Sequence, residues 1–332
     1  MGGTGGGVYL PFNLRYDDGK RSDNVVSRGA AGNLVMQAVR LRAPRRMPHT
    51  ARFWMLLPSL AIIGLFLIGG LGFALAQSLG AFALLGESHL TLAHYARLLT
   101  DPDLHAAALL SLRLAFTSTV VALAISLLMA MLLRRAGRGD GPLRLLFQLP
   151  LPVPHLVGAV GITLLVAQSG FVARLLHAAG LLPDRGAFPL LVGDPFGIGI
   201  VFVYVWKEVP FLTLLLLAAL TGIGEGVEEM ARTLGATGWQ RFRHVMLPLL
   251  APAMLSSSLI VFAYVLGAFE VPYLMGRTYP KALPVWAYQR FTNVDLNERP
   301  EAMAVSVLIT LLAVGVAVVY AALLRRGLRE TQ

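Results

Sequence analysis

The sequence has no cysteine and little charge. With no Cys among 332 residues, it can form no disulfide, thiolate nucleophile or thiolate metal site. Charged residues make up 14%, against about 25% in soluble globular proteins, which argues against a water-soluble fold. No Gly-x-x-x-x-Gly-Lys-Ser/Thr run occurs. The nearest stretch, "GIGEG" from Gly222, has no lysine and no preceding soluble strand, so no phosphate-cradling loop is expected. Near the start there is no apolar core with a small-residue cleavage site, so a cleaved signal peptide is not expected. The apolar runs do not alternate as the strands of a closed barrel would.

What is present is grease in long blocks. Hydrophobic residues make up 56%, and a spanning helix needs roughly 20 of them in a row. Six segments qualify, approximately Phe53–Gln77, Leu104–Leu133, Leu145–Ala167, Gly197–Leu220, Leu249–Phe269 and Ala302–Leu324. The fold class is therefore an all-α membrane bundle with six transmembrane helices. The net charge of +10 does not point to nucleic acid, which needs a soluble basic face. Here the arginines flank apolar blocks, as orientation signals do, so no nucleic-acid partner is expected.

Those flanks set an orientation. Arg40, Arg42, Arg45, Arg46 and Arg52 precede span one. Arg134, Arg135, Arg138 and Arg144 separate spans two and three. Arg232, Arg241 and Arg243 follow span four, and Arg325, Arg326 and Arg329 follow span six. If the spans alternate, all four groups share one side, which the positive-inside rule makes cytoplasmic. The opposite loops carry Arg97, then Arg174 and Arg185, then Arg277, Lys281, Arg290 and Arg299. Both termini are then cytoplasmic. Residues 1–50, with "MGGTGGG" and "RYDDGKRSDN", read as a flexible tail without a core or as sequence upstream of a true start at Met36 or Met47. The membrane domain is expected over 51–326 and a short tail over 327–332.

One hydrophilic insert stands out between spans four and five. "EEMARTLGATGWQRFRHVMLPLLAP", Glu228 to Pro252, begins with helix formers. Gly235 and Gly238 bracket "AT", which predicts a helix stop and a turn. A second short helix is expected over Trp239–Met246, before Pro248 and Pro252 mark the start of span five. Trp239 and Phe242 are large aromatics on the cytoplasmic side. They pack either on the protein's own helix ends or in a groove of a partner.

The spacing of this insert resembles the EAA loop of ABC importer permeases. That pattern is Glu-Ala-Ala, three residues, Gly, six residues, Phe, two residues, an aliphatic, one residue, Leu-Pro. It falls here on Glu229, Met230, Ala231, Gly235, Phe242, Val245, Leu247 and Pro248. Met230 stands where a small residue is usual. "LTLAHYARLLTDPDLHAAALLSLRLAF", from Leu90, looks like the external segment before the family's core. "FEVPYLMGRTYPKALPVWAYQRF", from Phe269, resembles the loop between the last two spans in the spermidine/putrescine-type subgroup. The resemblance covers about Phe53 to Arg326. It implies half of a membrane channel, with residues 225–248 docking a cytoplasmic ABC ATPase dimer through Glu229, Ala231, Gly235, Trp239, Phe242, Leu247 and Pro248. It further implies a second permease subunit and an extracytoplasmic solute-binding protein. ATP and Mg would sit on the ATPase, with no cofactor on this chain, and the cargo would be a polyamine or, alternatively, another small solute. Other members carry sulfate, ferric iron, thiamine or phosphonates.

Ionisable groups inside spans are costly and mark function by default. Lys207 and Glu208 lie mid-span in "YVWKEVPF", just before Pro210, and Glu270 ends span five. These three are the candidates for the translocation path. Alternatively, Lys207 or Glu208 pairs with a neighbouring helix, and Glu270 simply meets water at the interface. Arg113 reads as a snorkelling residue, and His155, among the prolines of "LPLPVPHLV", as a satisfied core histidine. His89 and His94 do not share a helix face, so no metal site is expected. Ser256, Ser257 and Ser258 are expected to hydrogen-bond across a helix interface. A membrane-embedded enzyme using Glu208, His155 or Glu270 finds no paired motif, and a passive channel would need no docking insert.

Overall fold

The computed structural model describes residues 49–81, 89–135 and 141–330. Of the tail expected over residues 1–50, residues 1–48, with Met36 and Met47, lie outside them, and His49 and Thr50 already belong to the first helix. The chain divides into two compact units, residues 1–64 and 65–332. The first contributes the opening half of helix α1, His49–Ser78, whose Ile62 and Ile63 are exposed apolar side chains. The second unit contains the rest of α1 and all later elements.

Six helical stretches are long and apolar enough to cross a bilayer: Trp54–Ser78, Pro102–Arg134, His155–Ala178, Ile198–Ile223, Gly238–Gly267 and Leu296–Ala322. Span one is α1. A short helix α2, Ala93–Thr100, leads into α3, Pro102–Arg135, the second span. The third apolar block differs from its expected course over Leu145–Ala167. Helix α4, Gly141–Gln148, stops at a non-helical linker, and α5, His155–Val166, starts anew after Pro154. The linker carries Pro150, Pro152 and Pro154. Proline has no N–H to donate and restricts the residue before it, so three in five positions interrupt the ladder. After a second break at 167–170, α6, Phe171–Ala178, completes the block.

Span four is α7, Ile198–Ile223, which continues through Pro210 without a break. It packs beside α3. Leu114 faces Gly197 and Ser126 donates to the Val209 carbonyl at 3.1 Å, so the two helices run parallel. Small residues on α3, Ala115, Ala122, Ala130, Ser118 and Ser126, are all buried and let the backbones come close. At Gly199 a Cβ would lie 1.8 Å from the Leu191 carbonyl, so the entering loop admits only glycine there. The buried Asp194 carboxylate accepts from the N–H groups of Phe196, Ile198 and Gly199, satisfying the donors that open α7.

After the insert comes α10, Leu247–Gly267, then α11, Glu270–Met275, α12, Leu283–Phe291, and α13, Arg299–Glu330. Span six thus starts earlier than expected and stays helical through residue 330, into the expected tail. The central core joins Leu114 of α3, Ile162 of α5, Val203, Tyr204 and Leu212 of α7, Leu266 of α10 and Met275 of α11. A second cluster, away from the insert, packs Leu98 of α2, Leu104 of α3, Leu283 and Trp286 of α12 and Val305 of α13. Above it, Arg290 lies 4.1 Å over the Trp286 ring and binds Glu301 at 2.5 Å and Asp101 at 3.5 Å, while Arg97 reaches Glu301 at 3.1 Å. Beside Arg97, the His94 imidazole is held below its ordinary pKa by burial first and by the guanidinium second.

Candidate functional site

The insert folds as a helix, a turn and a helix. Helix α8, Glu225–Thr233, follows α7 through Gly224. It closes with two backbone bonds, Gly235 N–H to the Arg232 carbonyl at 3.0 Å and Ala236 N–H to the Ala231 carbonyl at 3.1 Å. Gly235 takes φ +82, the left-handed turn that this closure requires. The second glycine has a different role from the expected stop. Thr237 is an N-cap, and Gly238 is the first residue of α9, Gly238–Arg241. Thr237 Oγ1 accepts the Gln240 N–H at 3.3 Å, and Gln240 Oε1 accepts the Thr237 N–H at 2.8 Å, a reciprocal capping box.

The short helix expected over Trp239–Met246 is not separate from span five. Residues Phe242–Met246 form a π-helical turn that runs straight into α10. The Leu247 N–H reaches five residues back, to Phe242. A proline ring collides with the carbonyl four residues before it, here that of His244. One residue of slack in the turn lets Pro248 sit near the start of α10 without ending the helix. Leu247 and Val245 are half-buried and Pro248 is exposed.

Exposure decides between the two packing modes for the aromatics. Trp239 is 66% exposed, and its ring contacts Phe242 at 5.5 Å. Met230 is 67% and Leu234 83% exposed. Ala231 and Phe242 are half-buried beneath them, and Glu229 is exposed. Trp239, Met230 and Leu234 therefore do not tuck under the helix ends, whereas Met246 is buried. The carboxylate that ties the insert to the bundle is Glu228, which reaches Arg134 at the end of α3 at 3.3 Å and Arg241 of α9 at 3.7 Å. A cleft of about 240 Å³ opens beside them, lined by Met131, Arg134, Glu228, Glu229, Arg232, Arg241 and Met246. Sequence reasoning passed over Glu228 because the motif falls on its neighbour. Arg134 was legible only as a topology signal.

Within the spans, Lys207 and Glu208 find separate partners. Lys207 is 4% exposed. Its ammonium donates to the carbonyls of Pro150 at 2.5 Å, Leu151 at 3.4 Å and Val153. Glu208 Oε1 lies 3.2 Å from His155 Nε2. The His155 ring sits 4.8 Å from Tyr264, which meets Tyr204 edge-on at 6.4 Å. Tyr204 is fully buried, and its hydroxyl has no hydrogen-bond partner among the described residues. Glu270 is exposed at the start of α11. Farther along the same helices, Phe269 stacks on Tyr273 at 4.8 Å and meets Tyr288 at 4.6 Å. Glu208, His155, Tyr264 and Tyr204 thus form one chain of neighbours. No local pattern marks the tyrosines as part of it.

Two local expectations change. Arg113 does more than snorkel: it donates to the Pro195 carbonyl at 3.1 Å and lies 5.8 Å over the Phe196 ring. Among the described residues, Ser256, Ser257 and Ser258 do not bond to another helix. Each donates back to carbonyls of α10 three or four residues earlier, the self-satisfying habit of serine in a helix.

Comparison with known proteins agrees with this architecture. A molybdenum transport system permease protein of Mycobacterium bovis is 31% identical over 221 residues, covering 65% of this chain and 78% of that protein. An inner membrane ABC transporter permease protein of Escherichia coli is 31% identical over 242 residues, covering 69% and 76%. A sulfate transport system permease protein of Salmonella typhimurium is 28% identical over 220 residues, covering 66% and 76%. The crystal structure of a bacterial ABC transporter that imports the acidic polysaccharide alginate contains a chain of like fold. It has a TM-score of 0.66 and 20% identity, over 83% of this chain and 96% of that one. Residues 122–330, which hold the α8–α9 insert and the Glu208–His155 pair, match the family described as binding-protein-dependent transport system inner membrane component, and the chain belongs to that family of importer permeases.

Proposed function

We propose that this permease couples a cytoplasmic ABC ATPase to passage of a small organic cation, of the polyamine class, through a path completed by a second permease subunit. An extracytoplasmic solute-binding protein delivers the cargo, and ATP and Mg bind on the ATPase. Residues 225–248 are the docking insert. The observation that carries this is the exposure of Leu234 and Trp239 on a folded, capped turn, since aromatic anchors left in water are characteristic of partner contacts. The insert faces the cytoplasm, and both termini lie on that side. Glu229, Ala231, Gly235, Phe242, Leu247 and Pro248 shape the docking element, and movement of whole helices opens and closes the path.

The cation reading rests on Glu208 and Glu270. Glu208, joined through His155 to Tyr264 and Tyr204, and Glu270, which follows Phe269 of the Phe269–Tyr273–Tyr288 cluster, offer charge pairing and ring faces to an ammonium group. The relatives named for molybdenum and sulfate transport represent the opposite chemistry, because carboxylates repel an oxyanion. Lys207 is turned toward backbone carbonyls and serves the fold of the path rather than its lining.

Uptake into proteoliposomes containing the chain, its co-encoded ATPase and the co-encoded solute-binding protein tests the proposal. Glu208→Gln leaves the ATPase bound and lowers spermidine uptake about tenfold, as loss of a charged partner implies. Unchanged spermidine uptake by that variant, or uptake of molybdate or sulfate in place of spermidine, would refute the cation assignment.

A further inference from the structure

Lys207 solves a problem that the linker between α4 and α5 creates. A carbonyl in a helix takes the N–H four residues ahead. For Pro150 that residue is Pro154, and for Gln148 it is Pro152; neither has an N–H to give. The linker recovers some bonds internally, Leu151 N–H to Gln148 at 3.0 Å and Val153 N–H to Pro150 at 3.3 Å. Inside a membrane the remaining carbonyl capacity must be met by protein. The Lys207 ammonium meets it. An ammonium has three donors, and Lys207 places them on three acceptors, the carbonyls of Pro150, Leu151 and Val153. Among the described residues no carboxylate forms an ion pair with Lys207, and the adjacent Glu208 is engaged with His155.

The two neighbours on α7 thus hold both sides of one interruption. Lys207 grips the linker, and Glu208 grips His155, the first residue of α5. Helix α7 continues without a break from these residues to Ile223, where it meets the insert through Gly224. That distance is about 24 Å of rigid helix at 1.5 Å per residue.

We propose that Lys207 is a positioning residue for transport: it pins the proline linker of the third span to α7, so that displacement of the docking insert moves the α4–α5 break and not α7 alone. The pin transmits motion and does not touch cargo. This inference rests on the importer reading above, but its structural half is separable from it.

The chain has no cysteine, so spin labels can be placed at Leu149→Cys on the linker and Leu215→Cys on α7 without background. Both positions have exposed side chains. In the parent, the distance between the labels is the same with and without ATP in the assembled transporter. With Lys207→Met, which keeps the length of the side chain and removes the donors, the distance distribution broadens. ATP hydrolysis persists while uptake per ATP falls about tenfold, the loss expected when a charge-assisted bond is removed. Adding Pro154→Ala returns an N–H to the Pro150 carbonyl and narrows the distribution again.

Unchanged distances and unchanged uptake per ATP in Lys207→Met overturn the proposal. So does failure of Lys207→Met to accumulate in membranes without rescue by Pro154→Ala, which makes Lys207 a folding residue only. The label distances can also be read in the chain without its ATPase. Failure of the importer reading would appear as lost assembly and uptake in the parent, and failure of the pin as parent-like distances in Lys207→Met.

Discussion

Gly235 offers a substitution series in which conformation and bulk rank alanine and asparagine oppositely. Its φ of +82 lies in the left-handed region, and a Cβ added there meets nothing within 4 Å. The cost of replacing it is therefore backbone strain and not collision within the chain. For an ordinary L-residue that strain is about 1–2 kcal/mol, while asparagine tolerates the left-handed region better. The strain acts on the two bonds that close α8, from Gly235 to Arg232 and from Ala236 to Ala231. If the docked ATPase needs this turn formed, Gly235→Ala weakens binding roughly five- to thirty-fold, the factor that 1–2 kcal/mol represents. Gly235→Val weakens it further, and Gly235→Asn less than Ala despite its larger side chain. The assay is titration of the purified ATPase onto the permease held in nanodiscs, with uptake measured in parallel. If Asn is worse than Ala, the partner's surface excludes side chains there and the strain argument is wrong. If all three variants bind as the parent does, the turn has no part in docking.

Trp239→Ala removes a ring whose aromatic contact is with Phe242 alone among the described residues. It should leave helix content and membrane accumulation unchanged while weakening ATPase binding roughly thirtyfold, as a hot-spot aromatic does; equal binding in the titration would show that the ring faces only water. Glu228→Gln cuts the tie from α8 to Arg134 and Arg241. Because these groups are partly exposed, the loss of thermal stability should not exceed about 1 kcal/mol, and it should shrink at high salt; a salt-independent loss would contradict an ionic role.

How much of this was legible in the sequence differs by element. The six crossings were legible because hydropathy is a property of each segment alone and because a bilayer imposes a fixed length. The glycine turn at 235 was legible for a similar reason, since it depends on a few adjacent residues. The π-turn at Phe242–Met246 was not. Pro248 signals a conflict in the ladder, but either a break or one residue of slack resolves it, and only the continuous packing of Met246 and Leu250 against Leu216 and Leu220 of α7 selects the second. The serines of α10 show the same limit, since a hydroxyl in a helix can turn to its own backbone or to a neighbour.

The composition, the blocks of apolar residues and the short-range turn chemistry of the insert were determined by the sequence itself, because each depends on residues within a few positions of one another. The tertiary structure decided which of two adjacent carboxylates anchors the insert, and that Lys207 answers carbonyls more than fifty residues away. It also decided that His155, Glu208 and two tyrosines become neighbours. Those facts depend on how α5, α7 and α10 rotate and slide as they pack, and no local pattern in the chain encodes that geometry.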